Sequence, residues 1–377
     1  MKRMAGRINN SAVVSVLFIF LLFSFQSSKG QVDENADVFY RQGVVVDQFI
    51  YNNAPFPSVH SPTIAETPEG LVAAFFGGEY EGHPEVSIYV SRLSDSTWSA
   101  PVKVVDGRVN DTLRKACYNP VLFQLPGREL LLFYKVGFHV QDWSGYLIRS
   151  FDHGKTWSHP EPLPEGFLGP VKNAPLLLND VLLCGSSTEN DGWKVHFEYF
   201  NLKDKHWSKK MPINDTTWGI IQPAILSLRD GRLQMLCRSM NEAIVTSFSS
   251  DGGKHWTQPT AINLPNNNSG IAAITLQNGH HLLVYNHVKT KESAWQELKR
   301  TPLNVAVSED GLRWNASLIL EDSPIGEYSY PFVMQGTDGY VHVVYTWRRE
   351  KIKYVKIDPV LLNKKEMKDG VWPANGK

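Results

Sequence analysis

The 377-residue chain carries 38 basic and 38 acidic side chains, with 42% hydrophobic and 11% aromatic residues. That composition can close a large core, which excludes wholesale disorder, and the lack of any block of like charge excludes the basic footprint of a nucleic-acid binder. Three cysteines, Cys117, Cys184 and Cys237, are too few for a disulfide scaffold, so packing must carry the fold. Cys184 and Cys237 either pair or stay as buried thiols.

The N-terminus reads as a leader. Lys2, Arg3 and Arg7 precede an apolar run from Ser11 to Phe25, then Ser27, Ser28 and Gly30. This is the three-part pattern of a secretory signal, expected over residues 1–30 with cleavage near Gly30–Gln31. The run is short for a membrane span of about 20 residues. A secreted or secretory-lumen chain with no membrane span after cleavage is therefore expected. Loss of Lys2, Arg3, Arg7 and Lys29 would leave 34 basic against 38 acidic residues, a net −4. Sequons at Asn110, Asn214, Asn267 and Asn315 are then candidate glycan sites on surface loops.

Beyond the leader the chain repeats itself. An apolar strand, a Gly/Asp turn and a second apolar strand recur as SPTIAETPEGLVAAFFGG, NPVLFQLPGRELLLFYKVG, APLLLNDVLLCGSS, QPAILSLRDGRLQMLCRS, GIAAITLQNGHHLLVYNH and YPFVMQGTDGYVHVVYTW. The turns centre on Gly70, Gly127, Asp180, Gly231, Gly279 and Gly339, about 50–60 residues apart, the spacing of one four-stranded blade per copy. A second motif lies between these hairpins. Ser150–Trp157 reads S-x-D-x-G-x-T-W, Ser249–Trp256 nearly matches it, Ser308–Trp314 is one residue shorter, and relics end at Trp98 and Trp207. Its logic is a turn between outer strands, with Asp capping amides, Gly supplying the backbone angle and Trp packing into the blade. The fold class is therefore all-β, a six-bladed β-propeller with four antiparallel strands per blade.

Blade geometry then selects residues. Starts of first strands and ends of second strands converge on one face around the pore. The starts offer His60, Asn119, Asn173, Gln222, Tyr328 and Tyr330; the ends offer Glu79, Glu81, His83, Glu85, Lys135, Glu189, Asn286 and Arg348, with Arg238 after the fourth hairpin. Any one of these could be solvated rim, but a convergent polar ring on a rigid scaffold is where ligands bind. His60, Glu79 and His83 are metal-competent types without ligand spacing, so no metal is expected. The chain has no phosphate loop, nucleotide fingerprint or serine elbow, so neither cofactor nor nucleotide is expected.

The S-x-D-x-G-x-T-W motifs are Asp boxes, or BNR repeats. Together with HSPT, NPVLF, GPVKN, the SSTE run and EYSYP, the chain resembles the sialidase superfamily and, within it, the sialidase-like BNR-repeat proteins, from about Val38 to Pro359. The resemblance implies one propeller over residues 38–359; the tail over 360–377 is uncapped and Lys-rich from Asn363 onward and is expected to fray. It also implies a carbohydrate site in which three arginines hold an acidic group. Arg238 matches the second arginine and Arg300 the third, while His60 stands where the first belongs. The nucleophile's Tyr-Ser motif matches Tyr328, with Tyr330 as rival. Gln222 stands in place of the activating Glu. The acid/base falls in the loop of Glu79, Glu81, His83 and Glu85. These departures argue against authentic sialic-acid hydrolysis. The implied function is an exo-acting glycosidase on a terminal, acidic sugar of a glycan or oligosaccharide; the alternative is a lectin-like propeller that binds without hydrolysis.

Overall fold

The computed structural model describes residues 40–215, 217–289, 300–324 and 326–374. The leader lies outside the described residues. Each repeat forms one blade, and the blades are six antiparallel sheets. Blade one runs Ser58–Thr67, Gly70–Gly78, Ser87–Ser94 and outer Thr97–Trp98 and Val102–Val105; blade two runs Ala116–Gln124, Leu130–Gly137, Ser144–Ser150 and Glu161–Pro162. Blade three holds Leu176–Leu178, Val181–Thr188, Lys194–Asn201 and Trp207–Lys209, and blade four holds Ile220–Ser227, Leu233–Ser239, Ala243–Ser249 and Thr260–Pro265. Blade five comprises Ala272–Thr275, His281–Tyr285, Leu303–Ser308 and Trp314–Glu321, and blade six Tyr328–Gln335, Val341–Trp347 and Lys351–Ile357. The fourth strand of blade six is Val44–Phe49, which pairs with Lys351–Ile357. The ring is thus closed by joining the two ends of the propeller in one sheet, which leaves no open edge between first and last blades.

The second strands are buried along their length, Leu130–Gly137 and Leu233–Ser239 completely so. Apolar clusters span neighbouring blades, as where Phe75 and Leu131 join one core. The Asp boxes serve these interblade seams. The Gly154 N–H donates to Ser150 Oγ at 2.8 Å and the Gly253 N–H to Ser249 Oγ at 2.9 Å. Gly253, at φ +90°, sits where other residues are strained, and a Cβ there would come 2.7 Å from the end of the Leu183 side chain of the preceding blade, which would have to shift. Trp256 stacks on Phe197 of that same blade at 4.2 Å. The box tryptophan therefore packs between blades rather than only into its own.

Two expectations change and one open alternative is settled. Within its described residues the tail is docked rather than frayed: Lys365–Glu366 adds a strand to blade five opposite Asn315 and Ala316, Met367 is buried, and Pro373 accepts a 2.7 Å hydrogen bond from Tyr40. Apolar Met367 and Trp372 in an otherwise Lys-rich segment give it a face to bury. All three cysteines are free and buried, so Cys184 and Cys237 do not pair. Two sequons are not on the surface. Asn214 is buried, its Nδ2 donating to the carbonyls of Trp193 (2.8 Å) and Trp218 (2.6 Å), and Asn267 is buried as well. A glycan on either has no room in this fold, whereas Asn110 is exposed and Asn315 half-buried. Asn315 lies just beyond the blade-five Asp-box turn, whose Ser308 pairs with His281; Tyr285, at the other end of that ladder, pairs with Asn304. It therefore stands at the end of the blade away from Asn286. Among the described residues no helix is long and apolar enough to cross a membrane.

Candidate functional site

One backbone device builds the site. In blades one, two, four and six the first strand carries the same one-residue bulge, between His60 and Thr63, Tyr118 and Val121, Ile221 and Ala224, and Ser329 and Phe332. Each bulge contains a proline, at Pro62, Pro120, Pro223 and Pro331. Proline cannot donate to a ladder, so a bulge is where an inner strand tolerates it. The residues before it, Ser61, Asn119, Gln222 and Tyr330, have φ of 52°, 37°, 59° and 51°. Left-handed backbone at a non-glycine residue costs about 1–3 kcal/mol and persists where surroundings over-determine it. Here it recurs at one level of four blades, and it lets Gln222 and Tyr330 meet: Gln222 Nε2 donates to Tyr330 Oη at 3.2 Å.

Arg238, ending the second strand of blade four, occupies the middle of this arrangement. Its Nη1 donates to Tyr330 Oη at 3.0 Å and to Gln222 Oε1 at 3.3 Å, and its Nε donates to Asn268 Oδ1 at 3.0 Å. The guanidinium also lies 5.2 Å from the Trp193 ring. It is 6% exposed. All these partners are neutral, and among the described residues no carboxylate reaches ion-pair distance of it.

The other cations are arranged differently. Arg300 Nη1 and Arg349 Nε both lie 2.9 Å from Glu327 Oε1, and Ser329 Oγ donates to that oxygen at 2.7 Å. Burial alone would raise the Glu327 carboxyl, but Arg300 and Arg349 hold it below the usual carboxylate range. Arg349 Nη1 also reaches Glu81 at 2.6 Å. Lys172 donates to the carbonyls of Ile271 (2.8 Å) and Pro331 (2.6 Å). Burial, and then the charge of Arg238, push its ammonium well below the ordinary lysine range. Glu189 moves the other way. Burial, with the charge of Glu81 adding to it, raises its carboxyl above the usual range against the pull of Arg238.

The sequence-derived candidates therefore separate. Gln222, Arg238, Arg300 and His60 gather around the Tyr330 side chain. Glu189 and Glu81 lie within reach of one another's charge and Glu189 within reach of that of Arg238, and Asn173 supports this pocket by donating to the Gln222 carbonyl at 3.0 Å. Tyr328 does not join them. It is buried beside Trp347, with its Oη 3.5 Å from Arg348 Nη2. Arg348 lies over the Trp347 ring at 4.4 Å, so the pocket holds Arg349 in its place. Lys135 is buried with its ammonium on the carbonyls of Asn119 and Pro170. Asn286 ties the carbonyls of Pro302 and Tyr328 together at 2.9 Å each. Both are seams between blades, and Asn119 is buried beside the first of them. Glu85 pairs with Arg114, which also holds Asp106. His83 accepts the Glu85 N–H at 3.2 Å and meets the Tyr80 ring, and Glu79 is exposed on the same loop. Among the described residues no three metal-competent side chains gather.

Sequence reasoning missed Arg349, Glu327, Asn268 and Trp193. Asn268 had a signal, since it belongs to the NNNSG run read only as a sequon; its φ of 63° and its bond to Arg238 give that run a role in the pocket.

Fold and pocket together define a sialidase-like propeller with a cationic centre. The family model described as BNR repeat-like domain matches residues 69–343, and the chain belongs to that family. No curated relative matches the sequence. Among solved structures, a protein of unknown function from Dyadobacter fermentans is similar at TM-score 0.66 and 17% identity, over 83% of this chain and 98% of that one. The NanB sialidase of Streptococcus pneumoniae is similar at TM-score 0.64 and 13% identity, over 84% and 71%. The alpha-L-arabinanase of Penicillium chrysogenum, solved with arabinobiose, is similar at TM-score 0.64 and 17% identity, over 85% and 99%. At these identities the likeness is one of fold.

Proposed function

We propose that the protein is an exo-acting glycoside hydrolase on a terminal acidic sugar. The observation that carries this reading is Arg238: a buried guanidinium with only neutral partners is costly unless an anion completes it. Arg300 stands nearby, 5.6 Å from the Tyr330 ring, and can share the acidic group. Tyr330 then faces the anomeric carbon. Glu189, held protonated more readily than an ordinary carboxyl, gives its proton to the leaving oxygen as the glycosidic bond breaks. Water supplies the hydroxyl that replaces the leaving group and returns a proton to Glu189. Glu81 and Glu85, the acids that the loop sequence suggested, are committed to Arg349 and Arg114. The sialidase and the arabinanase among the structures of like fold agree with a sugar ligand.

One observation favours a second reading, a binding propeller without hydrolysis. Gln222 presents an amide to Tyr330 where a carboxylate would take its proton. The test is release of monosaccharide from oligosaccharides ending in uronic or ketosidic acids, followed by chromatography. The expected result is release that Glu189→Gln slows by about 10²–10⁴-fold in kcat with KM little changed. Binding without release would select the lectin reading, and a Glu189→Gln enzyme as fast as wild type would remove Glu189 from the acid role.

A further inference from the structure

His60 stands where the resemblance calls for a guanidinium, and its surroundings give it a different job. Its side chain is 1% exposed, and neither Nδ1 nor Nε2 has a hydrogen-bond partner among the described residues. A buried polar side chain with both ends unmatched is rare and requires an explanation. The ring is not simply filling space in the core. It lies 4.1 Å from the ring of Tyr330, whose hydroxyl meets Gln222 and Arg238, and its other aromatic neighbour is Phe76 at 5.6 Å. Its backbone sits at the last ladder position before the blade-one bulge, which fixes the ring's place.

The charge on the ring is settled by its neighbours. Burial, then the charges of Arg349, Arg300, Lys172 and Arg238, hold His60 well below the ordinary histidine range. The carboxylates paired with these arginines are already engaged, Glu327 by Arg300 and Arg349 and Glu81 by Arg349. A neutral imidazole has one N–H and one bare lone pair. The lone pair needs a donor. A carboxylate cannot provide one at neutral pH, and none of the four surrounding cations is within hydrogen-bond distance. A sugar hydroxyl can either donate to the bare nitrogen or accept from the N–H, so a hydroxyl on one side of the ring matches what it lacks.

We infer that His60 is a specificity-determining residue that hydrogen-bonds a hydroxyl of the bound sugar, so that the pocket selects a polyhydroxy acid with its anionic group on Arg238 and a neutral hydroxyl on His60. The inference rests on the acidic-sugar reading above and narrows it. Replacing the expected first guanidinium with this ring turns one corner of the pocket from a charge reader into a hydroxyl reader. A site built to hydrogen-bond a hydroxyl discriminates strongly against the analogue without it, because its own polar group is then left buried and unmatched.

The test is a cycle between protein and ligand by isothermal titration. The probes are the methyl glycosides of glucuronic acid, galacturonic acid and N-acetylneuraminic acid, each with its mono-deoxy analogues. Against wild type, one deoxy position is expected to lose about tenfold or more in affinity. In His60→Phe, which keeps the ring and removes both nitrogens, the parent sugar loses a similar factor and that same deoxy position loses nothing further, while other positions stay additive. His60→Asn, which restores a donor and an acceptor, recovers part of the loss and gives the same cycle if His60→Phe fails to fold. Additive losses at every position, or a His60→Phe protein that binds all probes like wild type, would overturn the inference and leave the acidic-sugar reading standing. A folded wild-type protein that binds none of the three sugars would overturn both.

Discussion

Replacing Arg238 with methionine is expected to weaken binding of an acidic sugar by about 100-fold or more, because hydrogen bonds to a charged group contribute roughly 1.5–3 kcal/mol each and a bidentate clamp has two. The same change is expected to leave the melting temperature unchanged or higher. Arg238 is buried against Asn268, Gln222 and Tyr330, none of them charged. Removing an uncompensated buried charge relieves a desolvation cost, and methionine fills most of the volume. Opposite signs on affinity and stability are the signature of a group retained for ligand binding. Titration with the tightest acidic monosaccharide and a thermal melt on the same preparation check this. A large fall in melting temperature with unchanged affinity would make Arg238 a structural residue.

The largest stability loss is expected at Glu198. Its carboxylate is fully buried and accepts the N–H groups of Leu168 (3.1 Å) and Gly169 (2.7 Å) and faces His196 Nε2 at 2.9 Å. Glu198→Ala leaves these donors buried and unmatched, and breaking a buried charged cluster costs about 3–5 kcal/mol. The loop it holds leads directly to Lys172 and Asn173, so ligand affinity should fall with stability. Burial pushes Lys135 down to about 7, while Glu198 pulls it up. Its folded value lies below its unfolded one, so between about 7 and the ordinary lysine range the unfolded chain holds more protons, and this group's penalty fades as pH rises through that window. Below it, the penalty is full and Glu198 offsets part of it. The Lys135 share of the Glu198→Ala deficit should therefore be greatest in acid and disappear above about pH 7. Urea melts of both proteins across the pH range read this directly. A deficit under about 1 kcal/mol at all pH values, no more than a typical net hydrogen bond, would contradict the assignment.

The fold was legible because a propeller writes its blade six times. Turn glycines, apolar strands and Asp boxes recur at one spacing, and hydrophobic patterning specifies each strand pair. The site was legible to the strand but not always to the residue. Arg348 and Arg349 are neighbours at a strand end where both take positive φ, at 55° and 61°. Side-chain direction there is set by the turn, not by the two-residue alternation of a strand. Tyr328 and Tyr330 pose the same problem across a bulge, and the Pro331 that marks the bulge was visible in the sequence without its meaning. Four inner strands carry such a proline, so the pattern was there to read. Burial was not: nothing in a sequon separates Asn110, which is exposed, from Asn267, which is inside. The pairing of Glu327 with two arginines from different segments is likewise a product of tertiary approach.

The measurement that bears most directly on the pocket as an acidic-sugar site is a crystal structure with the tightest-binding acidic monosaccharide. The predicted complex has the sugar's anionic group within hydrogen-bond distance of the Arg238 guanidinium, on the Tyr330 side, with a hydroxyl against His60. A sugar bound elsewhere on the propeller, with Arg238 still engaged only by Asn268, Gln222 and Tyr330, would contradict it.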